Sequence, residues 1–222
     1  MKNLFQTTLL SIGLLNILNA GGMNDDPLNY KVTFEALQIE HTGDKPFTWD
    51  MNVWAGYNLN KIYIYSEGEK TKDEQESENQ IVWSNAITPY WDIQYGIGID
   101  KTSENTKKWA VLAFSGMSSY FFETRTAFLL DKNGNVGVRA SAENDFLITQ
   151  KLKIATSSEI SAYSKDDNEY NIQKGLSALS VGVNLTYEIK REFAPYIGIS
   201  HVRDIKNSKS QTNLVTGVSI WF

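Results

Sequence analysis

An all-β chain, folded as a transmembrane antiparallel up-and-down barrel of about twelve strands, is what three features of the sequence predict. Apolar and polar residues alternate with period two through nearly the whole chain. The connections alternate between minimal turns and longer polar loops. An apolar leader stands at the start, and an aromatic residue closes the last alternating run. The chain has 222 residues, of which 41% are hydrophobic and 12% aromatic, with no cysteine and a formal net charge of -5. The absence of cysteine excludes disulfides, thiolate metal sites and cysteine nucleophiles. The acidic balance, with no Lys/Arg stripe, excludes a nucleic-acid partner.

Residues 1–20 read as a cleaved signal peptide. Lys2 gives a positive start, Leu9 to Leu18 is apolar, and Ala20-Gly21-Gly22 offers small residues for cleavage. The apolar run is shorter than the ~20 residues a spanning helix needs. Residues 21–29 are expected to be a short periplasmic segment, and residues 30–222 the barrel. The strands are predicted at 30–40, 47–57, 61–70, 80–88, 90–100, 107–117, 119–130, 135–147, 150–163, 176–190, 193–203 and 212–222. The alternation is clearest where Trp91, Ile93, Tyr95, Ile97 and Ile99 oppose Asp92, Gln94, Gly96, Gly98 and Asp100. Runs of about ten residues suit tilted membrane strands, and each apolar parity is expected to face lipid.

Asn58-Leu59-Asn60, Thr88-Pro89-Tyr90, Met117-Ser118, Ile148-Thr149-Gln150 and Lys190-Arg191-Glu192 read as tight turns on the periplasmic side. Long outer loops are expected at 41–46, 71–79, 101–106, 131–134, 164–175 and 204–211. Tyr57, Tyr90, Trp91, Tyr120, Phe121, Phe122, Phe193, Tyr196 and Phe222 gather near the tight turns, as an interfacial girdle requires. The last run, with Gly217, Ile220 and Phe222, looks like a signal for the barrel assembly machinery. Outer-membrane lipid is then the surrounding partner, in a Gram-negative bacterium.

The polar parity places charge in the lumen: Glu67, Glu69, Glu123, Arg125, Arg139, Glu143, Asp145, Glu159, Glu188 and Arg203. Charges held by a low-dielectric wall need partners, so a mixed-sign network is expected. Four side chains could ligate a soft or borderline metal: His41, His201, Met51 and Met117. They form no H-x-H pair and no methionine cluster, so residue chemistry alone selects no metal. A barrel hydrolase would need His201 beside a lumenal serine, and no nucleophile motif supports one. The chain is not expected to be an enzyme.

Several segments together resemble the copper resistance protein B family. They are WAGYNLNK at 54–61, YSEGE at 65–69, NAITPYWDIQ at 85–94, SYFFE at 119–123, REFAPY at 191–196 and the ending SIWF. The resemblance implies an outer-membrane barrel that binds copper or helps to export or exclude it, with copper ion as its metal and a periplasmic copper protein as a further partner. Many family members carry a Met- and His-rich segment ahead of the barrel, whereas residues 21–29 hold only Met23 and two aspartates. Copper handling therefore falls to the barrel interior, with Glu67, Glu69, Glu123 and Glu188 as candidate contacts, or to a partner. The competing reading is a small nonspecific porin or structural barrel, followed by a barrel lipid hydrolase.

Overall fold

The computed structural model describes residues 26–41, 43, 45–170, 172–205 and 208–222. The expected signal peptide and most of the segment after it lie outside these residues. Twelve antiparallel strands form one closed sheet: β1 (Asn29–Glu40), β2 (Phe47–Gly56), β3 (Asn60–Lys70), β4 (Gln75–Thr88), β5 (Trp91–Lys101), β6 (Thr106–Met117), β7 (Glu123–Leu130), β8 (Val136–Leu147), β9 (Leu152–Tyr163), β10 (Gly175–Tyr187), β11 (Phe193–Asp204) and β12 (Lys209–Trp221). Each strand pairs with its sequence neighbour, and β12 closes on β1 through pairs such as Thr33 with Trp221 and Glu40 with Val215. Closure leaves no sheet edge with unpaired N–H and C=O groups, the condition for a sheet in hydrocarbon.

The outward face carries the apolar parity. Ile81 is 52% exposed and Ile97 58%, and Ile62, Leu112, Phe128, Val183, Ile199 and Leu214 stand on the same surface. In water such a surface would drive aggregation; in lipid it is the matching solvent. Tyr57, Tyr90, Tyr120, Phe121, Phe193 and Phe222 are exposed at the tight-turn end, where the girdle was expected. Tyr196 is a correction. It lies on the inward parity of β11, only 8% exposed, and its hydroxyl donates to Gln38 Oε1 at 3.0 Å. Gly217 stands opposite it in register, and a Cβ there would come within 2.6 Å of the Tyr196 ring. The glycine makes room for a lumenal aromatic side chain.

Four boundaries move by three residues or more, among them the end of β10, at Tyr187 rather than 190. β4 begins at Gln75 rather than 80 and β12 at Lys209 rather than 212. The polar stretch Gln75–Asn79 has little strand preference of its own, yet Lys70 to Ser66 of β3 and the top of β5 give it ladders on both sides. Most outer connections therefore shrink to tight turns, and residues 164–174 remain the long one. β7 begins at Glu123 because Ser119–Phe121 form a 3-10 turn in which Tyr120 and Phe121 hold positive φ of 63°.

The lumen is filled unevenly. Val82, Trp109, Val111, Ala113, Ala127 and Leu129 project inward from β4, β6 and β7 and pack with Tyr163 and with Ile172 of the long loop. The continuous apolar runs WAVLAF at 109–114 and AFLL at 127–130 encode this wall, because both of its faces are buried or lipid-facing. Over it, Lys107 pairs with Asp131 at 3.3 Å and Asp167 at 2.5 Å, tying the long loop down beside β6. Burial alone would raise the Asp131 carboxyl. The backbone N–H groups of Asn135 and Asn133, with Lys107, outweigh it and hold the group below its ordinary value. A carboxylate lowered in the folded state stabilises above the unfolded value of about 4, and that contribution is lost as pH falls through the folded value. Hydrogen exchange of residues 131–135 and 164–174 should thus stay protected at pH 5 and rise only in stronger acid. Asp131→Asn should raise exchange there at pH 7.

Candidate functional site in the acidic lumen

The open part of the lumen lies beside the packed wall and is lined from every strand except β5. Two contiguous chambers of about 480 and 850 Å³ occupy it, sharing Lys31, Glu35, Asp50, Glu67, Glu123 and Glu159 among their walls. The larger runs from Glu40, Glu69 and Glu76 near the outer loops to Lys31, Met117 and Trp221 near the tight turns. Among the described residues, eleven carboxylate side chains line these chambers against four basic ones, Lys31, Arg125, Arg139 and Lys153.

The basic groups are largely committed. Arg139 ion-pairs with Glu78, donates to Asp100 Oδ2 at 2.6 Å and to Tyr163 Oη at 2.9 Å. Trp109 Nε1 also donates to Asp100 Oδ2, at 2.6 Å. Arg125 donates to Gln80 Oε1 at 2.6 Å and to Gln94 Oε1 at 3.0 Å, with its guanidinium 4.2 Å from the Tyr65 ring centre. Lys153 pairs with Asp145 at 2.6 Å. These contacts bind the arginines to the filled side of the barrel and leave the open side acidic.

Register makes that acidity unusual. Asp50 stands directly opposite Glu67, Glu67 opposite Glu78, Glu69 opposite Glu76, and Glu123 opposite Glu143. Directly opposed like charges weaken a strand pair. Three such pairs lie on β2–β4 and one on β7–β8, and of their carboxylates Glu78 is ion-paired with Arg139.

Of the residues singled out from sequence, Glu67, Glu69, Glu123, Arg125, Arg139, Glu143 and Glu159 line the chambers. Arg203 does not: it stands exposed on the outward parity of β11 with Ile197 and Ile199. Glu188 lies past the end of β10 in a tight turn, outside the chamber walls. The four metal candidates are scattered. His41 follows β1 with Nε2 2.7 Å from Thr216 Oγ1, and His201 faces outward between Thr212 and Ser210 at 2.8 and 3.0 Å. Met51 is on the outward parity of β2, and Met117 is alone at the tight-turn mouth. No thioether or imidazole set for Cu(I) forms among the described residues. His201, turned outward, also cannot meet the lumenal serine a hydrolase would need.

Sequence reasoning missed Glu35, Asp50, Glu76 and Glu78 as lumenal groups. Asp50 was legible, since it alternates on the polar parity of its strand. Glu76 and Glu78 were hidden by reading 71–79 as loop. Glu35 was legible too, on the polar parity of Lys31 and Thr33; the β-bulge, where Phe34 pairs with Met51 and Ala36 with Asp50, changes parity only after it, so that Ala36, Gln38 and Glu40 also face the lumen.

The family model described as copper resistance protein B precursor matches residues 28–222. Copper resistance protein B of Escherichia coli is 31% identical over 217 residues, covering 92% of this chain and 73% of that protein. The copper resistance protein B homolog of Pseudomonas syringae pv. tomato is 26% identical, covering 90% and 72%. Among solved structures, the KdgM porin aligns with a TM-score of 0.54 at 14% identity, over 86% of this chain and 99% of that one. The NanC porin gives 0.55 at 15% identity, over the same shares. At such identities the porins speak for the barrel fold alone. The curated relatives support a role in copper resistance and, with the barrel fold, an outer-membrane location, and the chain belongs to the copper resistance protein B family.

Proposed function

We propose that this barrel contributes to copper tolerance by admitting copper, as Cu(II), into its acidic lumen, without acting as an enzyme. The four opposed carboxylate pairs carry the reading, because they hold charge where the fold alone would remove it. Carboxylate oxygens are hard donors that suit Cu(II), whereas Cu(I) needs the thioether or thiolate sulfur the lumen does not gather. Concentrated negative charge in a low-dielectric wall also draws in cations and repels anions.

Growth tests the proposal. Deletion of the gene should sensitise the host to copper while leaving tolerance to zinc and detergents unchanged, and the intact gene should restore it. Sensitivity to all three would favour a structural or nonspecific porin role instead.

A further inference from the structure

The outward face of the barrel turns polar on β11, β12 and the end of β1. On β11 the exposed row of Phe193, Ile197 and Ile199 continues as His201 and Arg203, and on β12 Leu214 gives way to Thr212 and Ser210. The two rows are in register, His201 opposite Thr212 and Arg203 opposite Ser210. Across the other side of β11 the partners are Val181 and Leu179, so β10 stays apolar at the same level. His41 bounds the patch on β1: its backbone N–H donates to Leu214 O at 2.8 Å, and its Nε2 lies 2.7 Å from Thr216 Oγ1. From Phe193 in the tight-turn girdle the strand climbs ten residues to Arg203. At about 3.3 Å each and a tilt of about 40°, that is a rise of about 25 Å, the height of the apolar band. The patch therefore lies at the outer interface, where an outward cation costs little.

Its groups are arranged to donate. His201 Nδ1 is 2.8 Å from Thr212 Oγ1, and Nε2 is 3.0 Å from Ser210 Oγ. A neutral imidazole has one N–H, so it donates to one hydroxyl and accepts from the other. The hydroxyl that accepts keeps its own hydrogen for an outside acceptor. Among the described residues Arg203 makes no ion pair, and its guanidinium offers the planar fork that fits a phosphate. Below the patch Ile197, Ile199 and Leu214 stand exposed.

We propose that this face is a docking site for a phosphorylated glycolipid of the outer leaflet. Arg203 and the Ser210 and Thr212 hydroxyls hold a sugar phosphate, and Ile197, Ile199 and Leu214 lie along the acyl chains. Charge complementarity and depth commit the site to this occupant. The outer leaflet of an outer membrane is built from glycolipids that carry phosphate on their sugars at the interface, with acyl chains beneath. A cation joined to hydroxyl donors above an apolar wall matches that order from head to chain. A glycerophospholipid phosphate is a diester with a single charge, and it is concentrated in the inner leaflet, at the tight-turn end of these strands. The inference goes beyond copper tolerance and does not depend on it.

The test is titration of the full chain, purified from outer membranes in detergent and freed of lipid, with bis-phosphorylated lipid A. Native mass spectrometry reads the binding, with phosphatidylglycerol run alongside. One lipid A should bind per barrel, and more tightly than phosphatidylglycerol. His201→Gln/Arg203→Gln should weaken lipid A binding about tenfold or more, the loss expected when charge-assisted hydrogen bonds are removed. Lys101→Gln/Lys108→Gln takes two outward charges from the same end of β5 and β6, on the opposite side of the ring, and should leave the affinity unchanged. Heat-modifiable migration on gels shows that each variant is folded, and Arg203→Gln alone serves if the pair is not. An equal loss in the lysine pair would reduce the binding to general surface charge and overturn the site. So would equal affinity for phosphatidylglycerol, unchanged affinity in a folded Arg203→Gln protein, or no lipid A bound by the native barrel.

Discussion

Arg139→Met is expected to destabilise the barrel by about 3–5 kcal/mol, the cost of leaving buried charges without their partner. Arg139 is 7% exposed and holds Glu78 and Asp100 together from across the lumen. Methionine fills part of the volume but offers no donor, so two carboxylates and the Tyr163 hydroxyl lose their contact at once. Reversible urea unfolding in lipid vesicles should show a lower midpoint with little change in slope. Adding Glu78→Gln and Asp100→Asn should restore most of the loss, because neutral amides need no counter-charge and the amide oxygen that replaces the Asp100 carboxylate can still accept from Trp109 Nε1. If Arg139→Met unfolds like the native barrel, the network contributes nothing and the apolar wall alone sets stability on this side.

The second large effect concerns ion passage. In planar bilayers under a KCl gradient, the barrel should pass K⁺ over Cl⁻ by about tenfold or more, as expected where a low-dielectric wall focuses one sign of charge. Glu67→Gln/Glu123→Gln/Glu159→Gln should bring the reversal potential most of the way to zero. These three carboxylates line both chambers, so they set the field along the path rather than at a single point. Arg125 bears on the same measurement from the other side. Its hydrogen bonds to Gln80 and Gln94 hold it against the filled wall, but both acceptors are neutral amides, so its positive charge offsets part of the carboxylate field. A barrel that carries no current in either form would be a plugged one, with its acidic chambers closed to through-passage.

Much of this was legible in the chain because lipid enforces period two so strictly. Where a strand has hydrocarbon on one side and polar lumen on the other, as in β5 and β10, parity alone told which residues face which solvent. It failed wherever a residue's surroundings were not set by its own strand. Both parities of β6 are apolar, because its inner face meets a packed wall built from β4, β7 and the long loop. Polar residues 75–79 became strand because neighbours supplied ladders, and Tyr196 turned inward because Gly217 leaves it space.

By itself the sequence determined the all-β barrel of about twelve strands, the lipid side of the strands that alternate cleanly, and the family whose segments it carries. Local alternation and turn chemistry are properties of consecutive residues, and a bilayer reads them strand by strand. Only the closed tertiary structure decided which charges are neutralised and which are not. Glu35, Asp50 and Glu143 are 15 to 108 positions apart along the chain. Ring closure sets β8 across the lumen from β1 and β2 and brings the three carboxylates within 4.8 Å of one another.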